Sequence, residues 1–448
     1  MNIPLLLGRL FSLAKESFLD GVKVLSSKEG LKAVYRTSLY RNAIYLMLNS
    51  AAMALLGFVF WILAARFYPA EAVGMASAVI AVAGFLATLS HFGLDLGIIG
   101  FLPKSGKKSN AIINSCFTVG GIAAIVVSLL FLAGLNIWSP ALVSLRQTPL
   151  NIASFVLLVV TWTLYLLVHG VFVARQRSGF TLLQGIIQGL IRVVLVASLA
   201  GYSYAFSIYT SWGIGFAATV VVGLIFLLPQ LQSGYHPMHG INKGIIKEMA
   251  QFSSANYVAG LVTKVPTFIL PLMIINLLGT DQNAYFYIAY AVVGNALLLI
   301  PAGVALSLFA EGSHVEEALG GYVKRSLKFS FLLLVPLIIL IYFIGGKILL
   351  LFGEGYSQEA TRLLWALALS SLPVTVNSVY FGMKRIEKKM KSVIFLSALV
   401  VVIILGLSYF LLPVTGIMGV GIAYIAGHGA VTLVIIGSLL KKKGVNRA

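Results

Sequence analysis

The sequence predicts an all-α polytopic membrane protein, with twelve transmembrane helices arranged as two six-helix lobes in a parallel pseudo-two-fold repeat. Three observations predict it. Hydrophobic residues make up 59% of the 448 positions and charged ones only 10%, against roughly 45–50% and 25% in soluble domains. The apolar runs are long and rich in Leu, Ile, Val and Ala, without the roughly ten-residue alternation of a membrane barrel. The basic residues fall on alternate joints between those runs. A mean hydropathy of +0.99 excludes both a soluble globular enzyme and a disordered chain.

The elements follow in order. Within residues 1–41 the apolar stretch from Ile3 to Phe18 is broken by Arg9, Lys15 and Glu16, and no small-residue cleavage site follows. This reads as an amphipathic segment lying on the cytoplasmic leaflet rather than a signal peptide. Six spans make an N-terminal lobe over 42–229: 42–65, 75–100, 109–133, 151–174, 179–200 and 205–229. A cytoplasmic linker, 230–250, leads to a C-terminal lobe over 251–440, with spans 251–278, 284–309, 327–350, 361–383, 392–412 and 416–440. A basic cytoplasmic tail, 441–448, ends the chain. Gly or Pro marks many joints, as at Pro69, Pro103, Pro140 and Pro413.

One set of alternating ends, with the tails, carries 26 of the 32 Lys and Arg residues, among them Lys104, Arg175, Lys243, Lys324 and Lys388. The other set carries only Arg66, Arg146, Lys347 and Arg362. By the positive-inside rule both termini are expected in the cytoplasm, in a multi-pass protein of the cytoplasmic membrane. The net charge of +19 is then a matter of topology and anionic lipid heads, and no nucleic-acid partner is expected. The lone Cys116 excludes a disulfide within the chain and reads as a small packing residue.

At an offset of 210, Glu71 meets Asp281, Gly84 meets Gly294 and Gly93 meets Gly303. Six spans per half return the chain to the side from which it started. The two halves are therefore expected to run parallel, related by an axis along the membrane normal.

The run Ala64-Ala65-Arg66-Phe67-Tyr68-Pro69-Ala70-Glu71-Ala72-Val73-Gly74 is followed by an Ala-rich span, then His91-Phe92-Gly93-Leu94-Asp95-Leu96-Gly97 and Phe101-Leu102-Pro103. It resembles the start of the polysaccharide and lipid-linked oligosaccharide flippases of the multidrug/oligosaccharidyl-lipid/polysaccharide (MOP) exporter superfamily. Members often carry Arg before the Phe-Leu-Pro element, where this chain has Gly100. The resemblance implies a MATE-like pair of lobes around a central cavity. It also implies alternating access, with a lipid-linked glycan moved to the outer leaflet.

Polar residues inside the spans mark the candidate site, because a charge at a helix centre costs about 2.5–3.5 kcal/mol on insertion scales. Lys264 lies about fourteen residues into the seventh span, roughly two-thirds of the way through at about 1.5 Å per residue. Asn256, Gly260, Lys264 and Thr267 share its face. No acid in the C-terminal half lies at that depth, so an anionic head group is the expected partner. Gln184, Gln188 and Arg192 form a second stripe, suited to phosphate or to a buried hydrogen-bond network. Asn49, with Asn42 and Tyr45, is expected on a cavity face; Tyr287 and Tyr290, with Asn295, are expected either to bind sugars or to pack between helices. Asp95 and His91 are weaker candidates for a coupling-ion site, an interfacial helix-end or loop contact being the preferred reading of Asp95. His169 and His428 read as structural.

No Walker A loop, HExxH or paired-Cys motif, or Gly-x-Ser-x-Gly elbow occurs. No cofactor or metal is expected, and the acids on the outer joints are too few for an enzyme. The expected function is a flippase for a lipid-linked oligosaccharide or polysaccharide precursor of the polyisoprenoid-phosphate type, with membrane lipids and glycosyltransferases as partners. The alternative is a cation-coupled multidrug exporter of the same superfamily.

Overall fold

The computed structural model describes residues 38–201, 204–232, 234–237, 240–312 and 319–445. The amphipathic segment expected at 1–41 lies almost wholly outside the described residues, as does the end of the basic tail.

The long helices are α1 (Ser38–Phe67), α2 (Ala70–Ser90), α3 (Leu94–Phe101), α4 (Ser109–Ala133), α5 (Pro149–Ala174), α6 (Ser178–Ser198) and α7 (Tyr204–Val222). A π-helical stretch, Gly223–Leu227, prolongs α7. The second half holds α8 (Lys243–Leu277), α9 (Thr280–Ala296), α10 (Leu299–Gly312), α11 (Leu319–Leu350), α12 (Glu354–Ile386), α13 (Met390–Thr415) and α14 (Met418–Val445). Among the described residues there is no strand. Among the described residues eleven helices are each long and apolar enough to span a bilayer, and α9 with α10, bent by 41° at their joint, give twelve if the pair is one span.

Two spans thus depart from single rods. The second breaks at His91–Gly93, where Phe92 (φ 50°) and Gly93 (φ 73°) are both left-handed. The seventh begins at Lys243, inside the expected linker. There Asn242 caps the helix, its Oδ1 accepting from the Ile245 amide at 3.2 Å.

Large apolar side chains such as Phe343, Phe410 and Val414 point outward, as hydrocarbon contact requires. The Ala-rich α2 is the reverse, buried around nearly its whole circumference. It occupies the middle of the bundle.

The packing repeats after six spans. Helix α1 packs on α6 and α8 on α13; α4 on α5 and α11 on α12; α5 on α7 and α12 on α14; α6 on α7 and α13 on α14. The turns repeat as well. Helix α5 ends with Gln176 left-handed (φ 54°), the Arg177 amide donating to Phe172 and the Gln176 amide to Val173. Helix α12 ends with Lys388 left-handed (φ 57°), the Lys389 amide donating to Lys384 and the Lys388 amide to Arg385. Both are Schellman motifs built on non-glycine residues. On the dividing line α2 crosses α9, and a Cβ on Gly74 would lie 1.6 Å from the Thr280 carbonyl oxygen. Ala284, paired with Gly74 by the offset of 210, is the next nearest neighbour. Two positions related by the offset of 210 thus face each other across this crossing.

Candidate functional site

The polar stripe of α8 lies open. Asn256, Thr263 and Lys264 are exposed, and a Cβ on Gly260 would meet nothing within 4 Å. Lys264 makes no ion pair within 4 Å among the described residues. Asp95, however, sits within its electrostatic reach from the opposite lobe. A reading confined to acids of the C-terminal half missed it, because the break after α2 redirects α3 toward α8.

At that break the His91 Nδ1 accepts from the Gly93 amide at 3.0 Å and lies 3.3 Å from Asp95 Oδ1. The two contacts ask opposite things of one nitrogen: a lone pair for the amide, a proton for the carboxylate. With the Nδ1 lone pair taken by the Gly93 amide, Asp95 Oδ1 is left buried without a hydrogen-bond partner among the described residues. The Tyr257 hydroxyl donates to the Leu89 carbonyl at 3.0 Å, and its ring lies 5.8 Å from that of His91. A Cβ on Gly93 would stand 2.9 Å from Tyr257 Cβ. Glycine admits both the turn and the approach of α8. Farther along α8, Met249 packs on Gly97 and Phe252 on Gly100 and Phe101. The first half of α8 is thus docked on the opposite lobe at the basic end of the bundle. This junction brings His91 and Gly93 against Tyr257 and Ser253 of α8, with Lys264 within electrostatic reach of Asp95 and Asn256 on the same face of α8 as Lys264.

Arg192 stands apart from this group. It is buried, its guanidinium 4.5 Å from the Trp212 ring centroid and 5.5 Å from that of Phe60. Its Nε and both amide atoms of Gln188 have no hydrogen-bond partner among the described residues. Tyr287, which packs at 4.7 Å on Trp61, lies within its electrostatic reach. The cation therefore faces aromatic rings, and no carboxylate pairs with it among the described residues.

Asn49 requires a correction. It lies in the seam between α1 and α6, its Oδ1 so near Gly185 that a Cβ there would stand 2.1 Å away. Leu56 fills the same role against Gly189, and Asn42 Oδ1 caps α6 by accepting from the Ser178 amide at 3.1 Å. Spacing placed these residues on one face, but that face packs within its own lobe.

Tyr290 belongs to a further group. Its hydroxyl lies 3.0 Å from Thr267 Oγ1, and its ring is 6.0 Å from Tyr424. Next to them the Asn377 amide nitrogen donates to the His428 carbonyl at 3.1 Å and lies 3.2 Å from His428 Nδ1. Sequence reasoning set His428 aside as isolated. The stripe Tyr424, His428, Thr432 at helical spacing was the signal that would have found it. His169 faces Tyr165, the ring centroids 6.4 Å apart. Among the described residues no three His, Cys, Asp or Glu side chains are placed to hold a metal ion.

Residues 39–255 match the family described as polysaccharide biosynthesis protein. The chain also superposes on solved structures. An inward-facing multidrug resistance MATE family transporter of the MOP superfamily matches with a TM-score of 0.69 at 12% identity, covering 88% of this chain and 96% of that one. The fold is that of the MOP superfamily. The lipid II flippase MurJ, in an inward closed conformation, matches with a TM-score of 0.70 at 13% identity, over 88% of this chain and 87% of that one. A MOP superfamily transporter from Pyrococcus furiosus, whose binding pocket is described as reversed in polarity, gives 0.61 at 13% identity, over 92% and 97%. No curated protein matches the sequence. The chain is thus a multi-pass membrane protein with the MOP transporter architecture, and α8 and α9 of its second lobe meet α2 of the first along their junction.

Proposed function

We propose that the protein is a flippase that carries a lipid-linked oligosaccharide or polysaccharide precursor across the cytoplasmic membrane by alternating access. The observation that carries the reading is Lys264, a cation inside a span, exposed at the junction of the lobes and without an ion-pair partner within 4 Å among the described residues. A deep ammonium of this kind is stable only beside water or an anion. The phosphate of a polyisoprenoid carrier supplies that anion, while the lipid tail stays in the bilayer. Arg192, buried without a carboxylate, is a second positive centre, with Tyr287 near it. The match of residues 39–255 to polysaccharide biosynthesis proteins supports the glycan.

The same reading takes 42–229 and 251–440 as the moving lobes, joined by a linker over 230–250. It places both termini in the cytoplasm, with glycosyltransferases supplying the cargo there. A cation-coupled multidrug exporter is the second reading, favoured by the acid at the junction, Asp95.

Proteoliposomes separate the two. The flippase reading expects the purified protein to move a labelled polyprenyl-pyrophosphate glycan between leaflets, and Lys264→Ala to stop it. Movement of a cationic dye, with no movement of the glycan lipid, would select the exporter.

A further inference from the structure

We propose that a cavity inside the C-terminal lobe is a subsite for one neutral sugar residue of the cargo. The proposal rests on the flippase reading and adds to it where the sugar goes. The cavity, of about 220 Å³, lies among α8, α9, α12, α13 and α14. That is below the roughly 300–1,000 Å³ of pockets that take drug-sized molecules, and it suits a single ring.

Its chemistry excludes the other ligand classes. No Asp, Glu, Lys, Arg or Cys is among the described residues that line it. An ion there would be desolvated without a counter-charge, which is costly. A purely apolar ligand fits no better, because Ser397 lines the cavity at 2% exposure with no hydrogen-bond partner for its hydroxyl. A ligand with hydroxyl groups would satisfy it.

The donors are held in place. The His428 carbonyl can only accept, so the Asn377 NH₂, 3.1 Å away, faces His428 and its side-chain oxygen faces Thr432 Oγ1 at 3.0 Å. An amide nitrogen donates only, so His428 Nδ1 accepts and the neutral ring carries its proton on Nε2. That N–H is the donor on the opposite edge of the imidazole. Tyr290 and Thr267 offer a hydroxyl pair with hydrogen-bonding capacity to spare. Tyr290, Tyr424 and Phe381 supply the aromatic surface on which the C–H face of a sugar packs. Polar edges and apolar faces together are the signature of a pyranose. Thr263 and Thr267 line the cavity on either side of Lys264 along α8. A phosphate held by Lys264 and a sugar held in the cavity would then lie at neighbouring points of one molecule.

The test compares a polyprenyl pyrophosphate with the same lipid carrying one N-acetylglucosamine, both bound to the full-length protein in detergent and measured by native mass spectrometry. The wild type should bind the sugar-bearing lipid about tenfold more tightly, which one to two net hydrogen bonds supply. Ser397→Val removes the unpartnered hydroxyl, and Val401→Phe fills the cavity. Each should cut the sugar's advantage to twofold or less while leaving the sugar-free lipid bound as in the wild type, which also reports an intact fold. Equal binding of the two lipids by the wild type overturns the subsite and leaves the flippase reading standing. An undiminished sugar advantage in both variants also overturns it. If neither lipid binds the wild type, the flippase reading fails and the subsite falls with it.

Discussion

Lys264 was legible from sequence because a charge within an apolar run is rare and needs a reason. That Asp95 lies within its electrostatic reach was not, since the approach crosses lobes and depends on a helix break that spacing alone does not show. Asn49 and His428 fail in opposite directions for one cause. Helical periodicity says which residues share a face, and the neighbouring helix decides whether that face meets a cavity. At this scale Lys264→Ala should lower glycan-lipid translocation by tenfold or more, with protein abundance in the membrane near that of the wild type. Lys264→Arg should keep part of the rate, since the charge survives with a different shape. Initial rates in proteoliposomes, normalised to reconstituted protein, check both. Translocation by Lys264→Ala at the wild-type rate would remove the cationic site and leave only the likeness of fold.

Helix existence was legible because each span needs a long apolar run, whereas the turns between helices carry information that hydropathy lacks. The joint after α12 illustrates this. Lys388 holds a left-handed backbone that costs an ordinary residue about 1–2 kcal/mol. A β-branched residue suffers most there, so Lys388→Val should lower the thermal midpoint in detergent while Lys388→Gly leaves it equal or higher. Next to it Glu387 accepts from Lys384 at 2.8 Å and pairs with Lys389 at 2.9 Å. Partial burial alone would raise the Glu387 carboxyl, but the two lysines outweigh it and hold it below the ordinary value. A carboxyl lowered in the folded state contributes stability above its unfolded pKa, and that contribution is lost as pH falls through the folded value. The effect is of the size of a surface pair, about 0.5–1 kcal/mol. Glu387→Gln should therefore lower the thermal midpoint slightly at neutral pH and flatten its decline below about pH 4, near the carboxylate reference range. Parallel acid titrations of the two proteins would show curves of identical shape if the cluster is idle.

The lobes, taken whole, are fastened at both ends, and alternating access requires one set of fastenings to give way while the other holds. At the charge-poor end Arg66 Nε donates to the Leu351 carbonyl at 2.8 Å and its NH2 group to that of Leu350 at 2.6 Å, so the arginine caps the C-terminal end of α11 from across the junction. The Asn283 side-chain amide donates to the Gly74 carbonyl at 2.7 Å and to Ser77 Oγ at 3.0 Å. Asn276 donates to Ser139 Oγ at 2.9 Å. At the basic end the seal is mostly apolar, formed by Met249, Phe252 and Tyr257 of α8. The polar seal is the more exposed to single substitutions, because a lost charge-assisted hydrogen bond costs about 1.5–3 kcal/mol, enough to shift a two-state population by roughly tenfold to a hundredfold. Arg66→Ala should consequently populate a form open at the charge-poor end. Gly74→Leu should do so more strongly, since even a Cβ cannot pass the Thr280 carbonyl. Spin labels at Gln147→Cys and Val414→Cys, both exposed at that end and in opposite lobes, report the opening as a longer distance by pulsed electron resonance. Labels at Lys104→Cys and Lys388→Cys follow the other end, and in intact cells an impermeant thiol reagent should miss both if that end faces the cytoplasm. Should the Gln147–Val414 distance stay the same in both variants, these contacts do not hold the lobes closed, and the apolar seal formed by α8 must govern the transition.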